Sequence, residues 1–274
     1  MQSQLYIPHP LLQPFVVSII TIDAFLPHAS TEVVTPYPPA PHQSIIFYGE
    51  NRIHMQKGEK EFELQPASVI IGPQYTRVNV KVTGQLKAVR VDFHPGGLYR
   101  LLGIPMKALY DNGFDAREII GSRLDAVEQQ ILDAPDGYIR KTIVEQFLLA
   151  QCGRLKDALP IDAALQVLLR LDGNISIEKV ASLSCLSLRQ LERQCAERIG
   201  LTPKAFARIA RFSKAYRMRE AQPDLTWTSI AHEAGYFDQM HLIRDFKEFA
   251  GVRPGLIEAS LAATPFRMQA HLIV

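Results

Sequence analysis

The sequence predicts an α+β chain. Its N-terminal part reads as a small antiparallel β barrel or sandwich with following helices. Its C-terminal part reads as an all-α domain of two helix-turn-helix units joined by a linker helix. Three observations carry this. Short runs rich in Val, Ile and Phe, several alternating with a period of two, fill residues 44–93. After the HPGG at residues 94–97 the apolar spacing becomes helical. In the last third a helix-turn-helix pattern occurs twice.

The strand candidates are residues 44–48 (SIIFY), 61–64, 68–71, 77–82 and 87–93. Val78, Val80 and Val82, then Val89, Val91 and Phe93, give the alternation of half-buried strands. Thr83-Gly84-Gln85 reads as a hairpin turn between the last two runs. Residues 35–41 (TPYPPAP) read as an extended connection rather than a strand, because proline removes a ladder donor. Residues 98–102, 122–132 and 137–151 carry helical spacing, as in Leu124, Val127 and Ile131, then Ile139, Ile143 and Phe147. These helices either close the first domain or supply a dimer surface, and the sequence leaves both open.

The last third is punctuated by caps. Ser187 and Gln190 form a Ser-x-x-Gln capping box, and Gly200 ends that helix. Thr202 and Pro203 start the next helix as N-cap and first residue, and Pro223-Asp224 stops it. Thr226 caps a helix that Gly235 ends, and Asp238 caps another that Gly251 ends. The boundaries expected are residues 1–155 for the β-rich domain, 161–260 for the helical domain and 261–274 for a tail.

Length agrees with two domains, since 274 residues at roughly 100–200 per domain give about two. A content of 47% hydrophobic and 21% charged residues excludes disordered, collagen-like and disulfide-dense classes. Cys152, Cys185 and Cys195 show no CxxC spacing, so neither a disulfide framework nor a zinc ribbon is expected, and a reducing compartment fits. Cys185 and Cys195 read as core positions, Cys152 as open. Residues 1–10 lack a basic leader, and no apolar run nears the ~18 residues of a membrane span. The chain is therefore expected in the cytoplasm and off the membrane.

Charge is uneven although the net value is only +2. Residues 161–274 hold 15 Lys and Arg against 12 Asp and Glu. Between residues 187 and 219, nine cations (Arg189, Arg193, Arg198, Lys204, Arg208, Arg211, Lys214, Arg217 and Arg219) face only Glu192 and Glu197. That pattern is either a phosphate-backbone footprint or a solvated helix face.

The internal repeat is the more informative feature. Leu191, Arg193, Ile199, Gly200 and Pro203 recur as Leu242, Arg244, Ala250, Gly251 and Pro254, each 51 residues on. Val180-Ala181 recurs as Ile230-Ala231 at a spacing of 50, so one residue is gained in the second turn. Leu191, Cys195, Leu242 and Phe246 are expected to point inward. Arg189, Gln190, Glu192 and Arg193 in the first copy, and Gln239, Met240, His241 and Arg244 in the second, are expected on the outer face. Arg, Gln and His there address base edges in a major groove. Residues 203–220 as one helix would span about 27 Å, which with the width of its ends approaches the ~34 Å between successive grooves. Trp227 reads as a core staple rather than part of a recognition stripe with Phe237.

Residues 186–211 (LSLRQLERQCAERIGLTPKAFARIAR) and 230–254 (IAHEAGYFDQMHLIRDFKEFAGVRP) resemble the DNA-binding domain of AraC/XylS-type transcription regulators. The second stretch carries that family's I-A, G-Y, D-Q-x-H-x-x-R-x-F-K and G-x-x-P pattern almost in full. The resemblance implies base-facing slots at Arg189, Glu192, Arg193, Gln239, Met240, His241 and Arg244. It implies phosphate contacts at Ser187, Gln190, Arg208, Arg211, Asp238 (through its helix amides) and Lys247. Two departures are Cys195 in a slot usually filled by Phe, and Met240 where a polar residue is common. Residues 12–15, 69–73 (VIIGP), 89–97 (VRVDFHPGG) and 102–105 resemble an uncharacterised β-rich, cupin-related domain found fused ahead of AraC-type domains.

The function implied is that of a sequence-specific regulator of transcription, inserting two helices into successive major grooves. Double-stranded DNA is the expected partner. A small-molecule effector in the N-terminal domain, RNA polymerase and a second copy of the chain remain open as partners. Two alternatives stand beside this. One is a ligand-independent regulator whose first domain makes protein contacts only. The other is a cupin-like metal enzyme with a DNA-binding tail. His42, His54 and His94 lie in or beside strands but form no HxH pair and have no carboxylate at ligand spacing. No metal, cofactor or catalytic residue is therefore expected.

Overall fold

The structure is a computed structural model that describes residues 2–26 and 32–257. Its strands are β1 (Gln2–Tyr6), β2 (Val16–Phe25), β3 (Glu32–Tyr37), β4 (Gln43–Tyr48), β5 (His54–Lys57), β6 (Glu63–Leu64), β7 (Ser68–Ile71), β8 (Val78–Thr83), β9 (Gln85–Phe93) and β10 (Gly113–Asp115). They form two antiparallel sheets, one in the order β1-β2-β9-β4-β7-β10 and one in the order β3-β8-β5-β6. Helices α1 (Gly97–Leu102), α2 (Ala116–Ile120), α3 (Asp125–Asp133) and α4 (Gly137–Gln151) complete the N-terminal part.

Alternation sets up two cores, one on each face of the larger sheet. Ile45, Phe47, Val89, Val91 and Phe93 pack against the helices with Leu124, Val127, Ile131 and Phe147. Ile46, Tyr48, Leu86 and Ala88 point the other way and meet Val78, Val80 and Val82 of the smaller sheet. The result is a sandwich with a helical layer, not a closed barrel.

Four expectations change. The turn at Gly84 (φ +62°) joins β8 to β9, which lie in different sheets, so it is a crossing between layers rather than a hairpin. The proline-rich stretch is partly a strand, because β3 includes Pro36 opposite Asn79. It pairs only with β8, and at a sheet edge the missing donor of proline costs no ladder bond. The run at 61–64 shortens to the two residues of β6. On α4 the buried stripe is Arg140, Val144, Phe147 and Leu148, so Ile139 turns outward. Arg140 is enclosed and donates to Asp23 at 2.6 Å.

The C-terminal part is helical: α5 (Pro160–Arg170), α6 (Ile177–Leu183), α7 (Leu188–Arg198), α8 (Pro203–Ala221), α9 (Trp227–Ala234) and α10 (Gln239–Phe249). The caps fall where the sequence places them. Ser187 and Gln190 bond each other reciprocally, and Thr202, Thr226 and Asp238 accept from the first turns of α8, α9 and α10. Helix α5 opens one residue before the expected boundary at 161, and the expected tail at 261–274 lies outside the described residues. Among the described residues no helix is long and apolar enough to cross a membrane.

The two parts are joined by a polar seam. Arg198, at the end of α7, donates to Asp162 of α5 through Nε (2.7 Å) and Nη2 (2.5 Å), both residues being buried. Its guanidinium also lies 4.8 Å from the Tyr99 ring of the first part. Tyr99 donates to Glu197 at 2.6 Å, and Gln43 donates to the Ile199 carbonyl at 3.0 Å. Gly96 permits the approach: a Cβ there would lie 2.3 Å from Asp162 Oδ1.

Arg198→Ala should lower the unfolding free energy by about 3–5 kcal/mol, since it strands a buried carboxylate, whereas the apolar pair Arg198→Met with Asp162→Leu should lose far less. Urea unfolding of the full chain followed by circular dichroism measures both.

Candidate nucleic-acid interface

The two repeats build equivalent units, α6–α7 and α9–α10, on either side of α8. Their shared core explains the inward residues: Val180, Ala181, Leu191, Cys195, Ile230, Ala231, Leu242 and Phe246 are all buried in one cluster with Phe206 and Phe212 of α8. Trp227 is half-buried against it, its ring edge-on to Phe246 at 5.1 Å, as a staple would be. Cys195 is buried, and burial pushes its thiol up to about 12. Cys185 departs from expectation. It holds the left-handed turn of the first unit at φ 55° and is exposed rather than packed. Gly235 holds the matching turn of the second unit at φ 83°. All three cysteines are free thiols.

The face opposite this core carries the candidates. Arg189, Glu192 and Arg193 on α7 are exposed, as are Gln239, Met240, His241 and Arg244 on α10. Arg189, Arg193 and Arg244 have no ion pair among the described residues. Asp238 accepts from the His241 backbone N–H at 2.8 Å and from its ring Nδ1 at 2.9 Å, and these bonds hold its carboxyl below the usual range.

The residues implied as phosphate contacts divide into two sets. Ser187, Asp238 and Lys247 are exposed at or on the two outer helices. Gln190 is also exposed, but its Oε1 accepts from the Ser187 N–H. Arg208 lies between Asp245 and Glu248, donating to Asp245 at 2.6 and 3.1 Å. Bonds from Glu248, and then from Asp245, hold its guanidinium charged. Arg211 donates to the Gly173 carbonyl at 2.9 Å and to Asn174 at 3.1 Å, and lies over the Tyr236 ring.

The basic run is therefore not one free patch. Lys214 and Arg217 share Asp172, and Arg219 donates to the Leu225 carbonyl while lying over Trp227. Of the nine cations, only Arg189, Arg193 and Lys204 lack an ion pair or hydrogen bond among the described residues. The pairing carboxylates lie far away in sequence, and local charge counting cannot see them.

The family match agrees with the helical part of this architecture. Residues 180–258 match the family described as "Helix-turn-helix domain". The match makes the C-terminal part a helix-turn-helix domain over these residues. Helices α7 and α10 are the second helices of the two units. Residues 4–115 match a "Domain of unknown function (DUF6597)". No curated protein matches the chain in sequence. Among solved structures, the chain is similar to ToxT from Vibrio cholerae, with 11% identity, 97% of this chain and 99% of that chain covered, and a TM-score of 0.48. It is similar to unsaturated fatty acid bound ToxT from the same organism at 12% identity, 92% and 98% coverage, and a TM-score of 0.47. A hydroxypropylphosphonic acid epoxidase from S. wedmorenis covers 28% of this chain and 42% of its own, at 19% identity and a TM-score of 0.22.

Among the described residues no group of three His, Cys, Asp or Glu side chains is placed to hold a metal. His42 instead contacts the Phe93 carbonyl at 3.3 Å, and burial, with His42 and Arg170 nearby, pushes His94 below its ordinary value.

Arg208→Ala should lower the stability of the helical domain by about 1–3 kcal/mol, the range for charge-assisted hydrogen bonds. It should leave the slope of log affinity against log salt on DNA unchanged. A fall in that slope of about 1 would instead make Arg208 a phosphate contact.

Proposed function

We propose that the protein is a sequence-specific regulator of transcription that reads two successive major grooves with α7 and α10, under control of a small molecule bound in its N-terminal domain. The observation that carries the first part is the set Arg189, Arg193 and Arg244, exposed and without an ion pair among the described residues, on the second helices of a duplicated helix-turn-helix unit. Arginine there donates bidentately to guanine, and a good pair contributes about 1–3 kcal/mol of discrimination. The spacing supports it too. Helix α8 has 19 residues and so runs about 28 Å between the units, close to one turn of duplex once the helix widths are added. Ser187, Gln190, Asp238 and Lys247 would then position the units on phosphates, with Gln239, His241 and Glu192 reading neighbouring bases.

The second part rests on the space between the two sheets. A cavity of about 120 Å³ is lined mainly by apolar side chains, among them Ile46, Met55, Val80 and Ala88. Its polar lining includes Tyr37, Gln65, Gln74 and Arg90. Arg90 donates to Tyr37 at 2.7 Å and to Asp92 at 2.7 Å. Burial pushes the Tyr37 hydroxyl up, so it stays protonated. The space suits a compact, mostly apolar molecule with one polar group, for an engineered cavity of about 150 Å³ holds benzene.

The cavity also has a physical route to the DNA-binding units. Ile71, Gln74 and Val78 line it, while Tyr75 and Arg77 from the same segment hold the end of α10. A ligand that binds two arrangements of this segment unequally would shift their populations.

Selection of binding sites by the full-length protein should yield two half-elements about 10–10.5 base pairs apart. Arg244→Ala should weaken the selected site by about 1–3 kcal/mol and random DNA hardly at all. Equal losses on both would make Arg244 a phosphate anchor. Ala88→Leu, which fills the cavity, should abolish any thermal stabilisation by small metabolites that the wild type shows. Retention of that stabilisation would place the ligand elsewhere.

A further inference from the structure

The two repeats differ at one position, and the difference faces outward. In the first unit one residue, Leu186, lies between the left-handed Cys185 and the N-cap Ser187. In the second unit two residues, Tyr236 and Phe237, lie between the left-handed Gly235 and the N-cap Asp238. The backbone shows which of the two is added. Leu186 donates its N–H to the Ala181 carbonyl at 3.0 Å, and Tyr236 donates to the equivalent Ala231 carbonyl at 2.9 Å. Tyr236 thus takes the place of Leu186. It is buried, with its hydroxyl donating to Asp245 at 3.1 Å. Phe237 is the residue gained.

Phe237 occupies the position from which a hydrophobic staple would pack onto the fourth residue of the helix, here Leu242. It does not: Leu242 is fully buried, while Phe237 is 93% exposed. The core is closed without it, so the burial gain of a phenylalanine is left unrealised in the free protein. The ring is nevertheless placed. It stands edge-on to His241 at 6.1 Å and 90°, and His241 is held by Asp238. Met240, 56% exposed, is on the same first turn. An apolar pair is thereby set at the N-terminus of α10, continuous with His241 and Arg244 on the outer face. N-terminal residues of such a helix are the ones that reach base edges, and the one apolar group a major groove presents is the thymine 5-methyl.

We propose that Phe237, the residue added to the second turn, is a specificity-determining residue that packs on a thymine 5-methyl group beside the bases read by α10, with Met240 flanking it. The inference rests on the regulator reading above and assigns it a base preference: at least one thymine in the half-element under the second unit.

The test uses the full chain and the selected site. Each thymine is replaced in turn by deoxyuridine, which removes the methyl and leaves the hydrogen-bonding edge intact. Wild-type protein should lose about fourfold in affinity at one thymine, the equivalent of ~0.8 kcal/mol for one buried methylene-sized group. Phe237→Ala should bind the thymine and deoxyuridine forms of that site equally, with its thermal unfolding unchanged because the ring is exposed. Equal sensitivity of both proteins at every position overturns the inference, as does Phe237→Ala binding the intact site like wild type. The latter result, with transcriptional activity lost, would instead give the ring to a protein partner. Failure to select any preferred site fails the regulator reading itself, and that outcome is recognised because Arg244→Ala then has no specific affinity to lose.

Discussion

Arg198 holds the molecule in its arrangement. Its two bonds to Asp162 tie the end of α7 to the start of α5, and a third N–H reaches the Asp157 carbonyl at 3.2 Å. Asp162 is committed as well, accepting the Leu159 N–H at 2.9 Å. Desolvating two charges is unfavourable unless nearly every lone pair and proton is satisfied. The pair therefore tolerates little displacement, and it acts on orientation more than on net stability. Because Tyr99 lies against the same guanidinium, the sheet domain is registered on the first helix-turn-helix unit by directional contacts.

The same logic sorts the cations of the helical domain. Those pointing at the core or at the other unit are neutralised by Asp172, Asp245 and Glu248 or bonded to carbonyls. Among the described residues, those without a side-chain hydrogen bond or ion pair include Arg189 and Arg193 on α7, Lys204 at the start of α8, and Arg244 and Lys247 on α10. A free arginine on a helix surface keeps its full bidentate capacity for a guanine edge or a phosphate. Internal pairing thus neutralises Arg208, Lys214 and Arg217 of α8 and leaves Arg189, Arg193 and Arg244 on the two outer helices available.

How much was legible in the sequence follows from the range of the interactions. Capping bonds join residues three apart, so Ser187 with Gln190, and the starts set by Thr202, Thr226 and Asp238, could be read directly. The repeat could be read as well, including the residue gained before Asp238. Strand β2 was missed because VVSIITIDAF is apolar on both faces and does not alternate, being buried between two layers. The sheet crossing at Gly84 depends on which neighbours β8 and β9 find, β3 and β5 for one, β2 and β4 for the other. The pairing of Arg208 has no local signal, because Asp245 and Glu248 lie 37 and 40 residues away. Phe237 was weighed only as part of a stripe with Trp227, and nothing local distinguishes a ring that packs from one that does not.

The second unit is held by a different device, and this matters for control. Residues 72–77 run from β7 to β8 along the cavity and end on α10. Tyr75 bonds Glu248 and lies edge-on to Phe249 at 5.3 Å, and Arg77 donates to the Ala250 carbonyl at 3.0 Å. The segment is pinned from behind by Asp111, which accepts the Tyr75 and Thr76 N–H groups at 2.7 and 2.9 Å and pairs with Lys57. Burial alone would push the Asp111 carboxyl up. Lys57 and these N–H donors outweigh it and hold the group below its usual range, so it stays ionised. The segment is thus fixed at its middle, lines the cavity on one side and bonds the end of α10 on the other. The first unit has its own seam through Arg198, Tyr99 and Gln43. Under the proposed function, a change in the cavity would act on the second unit relative to the first, and so on the spacing and tilt that simultaneous reading of two grooves would require.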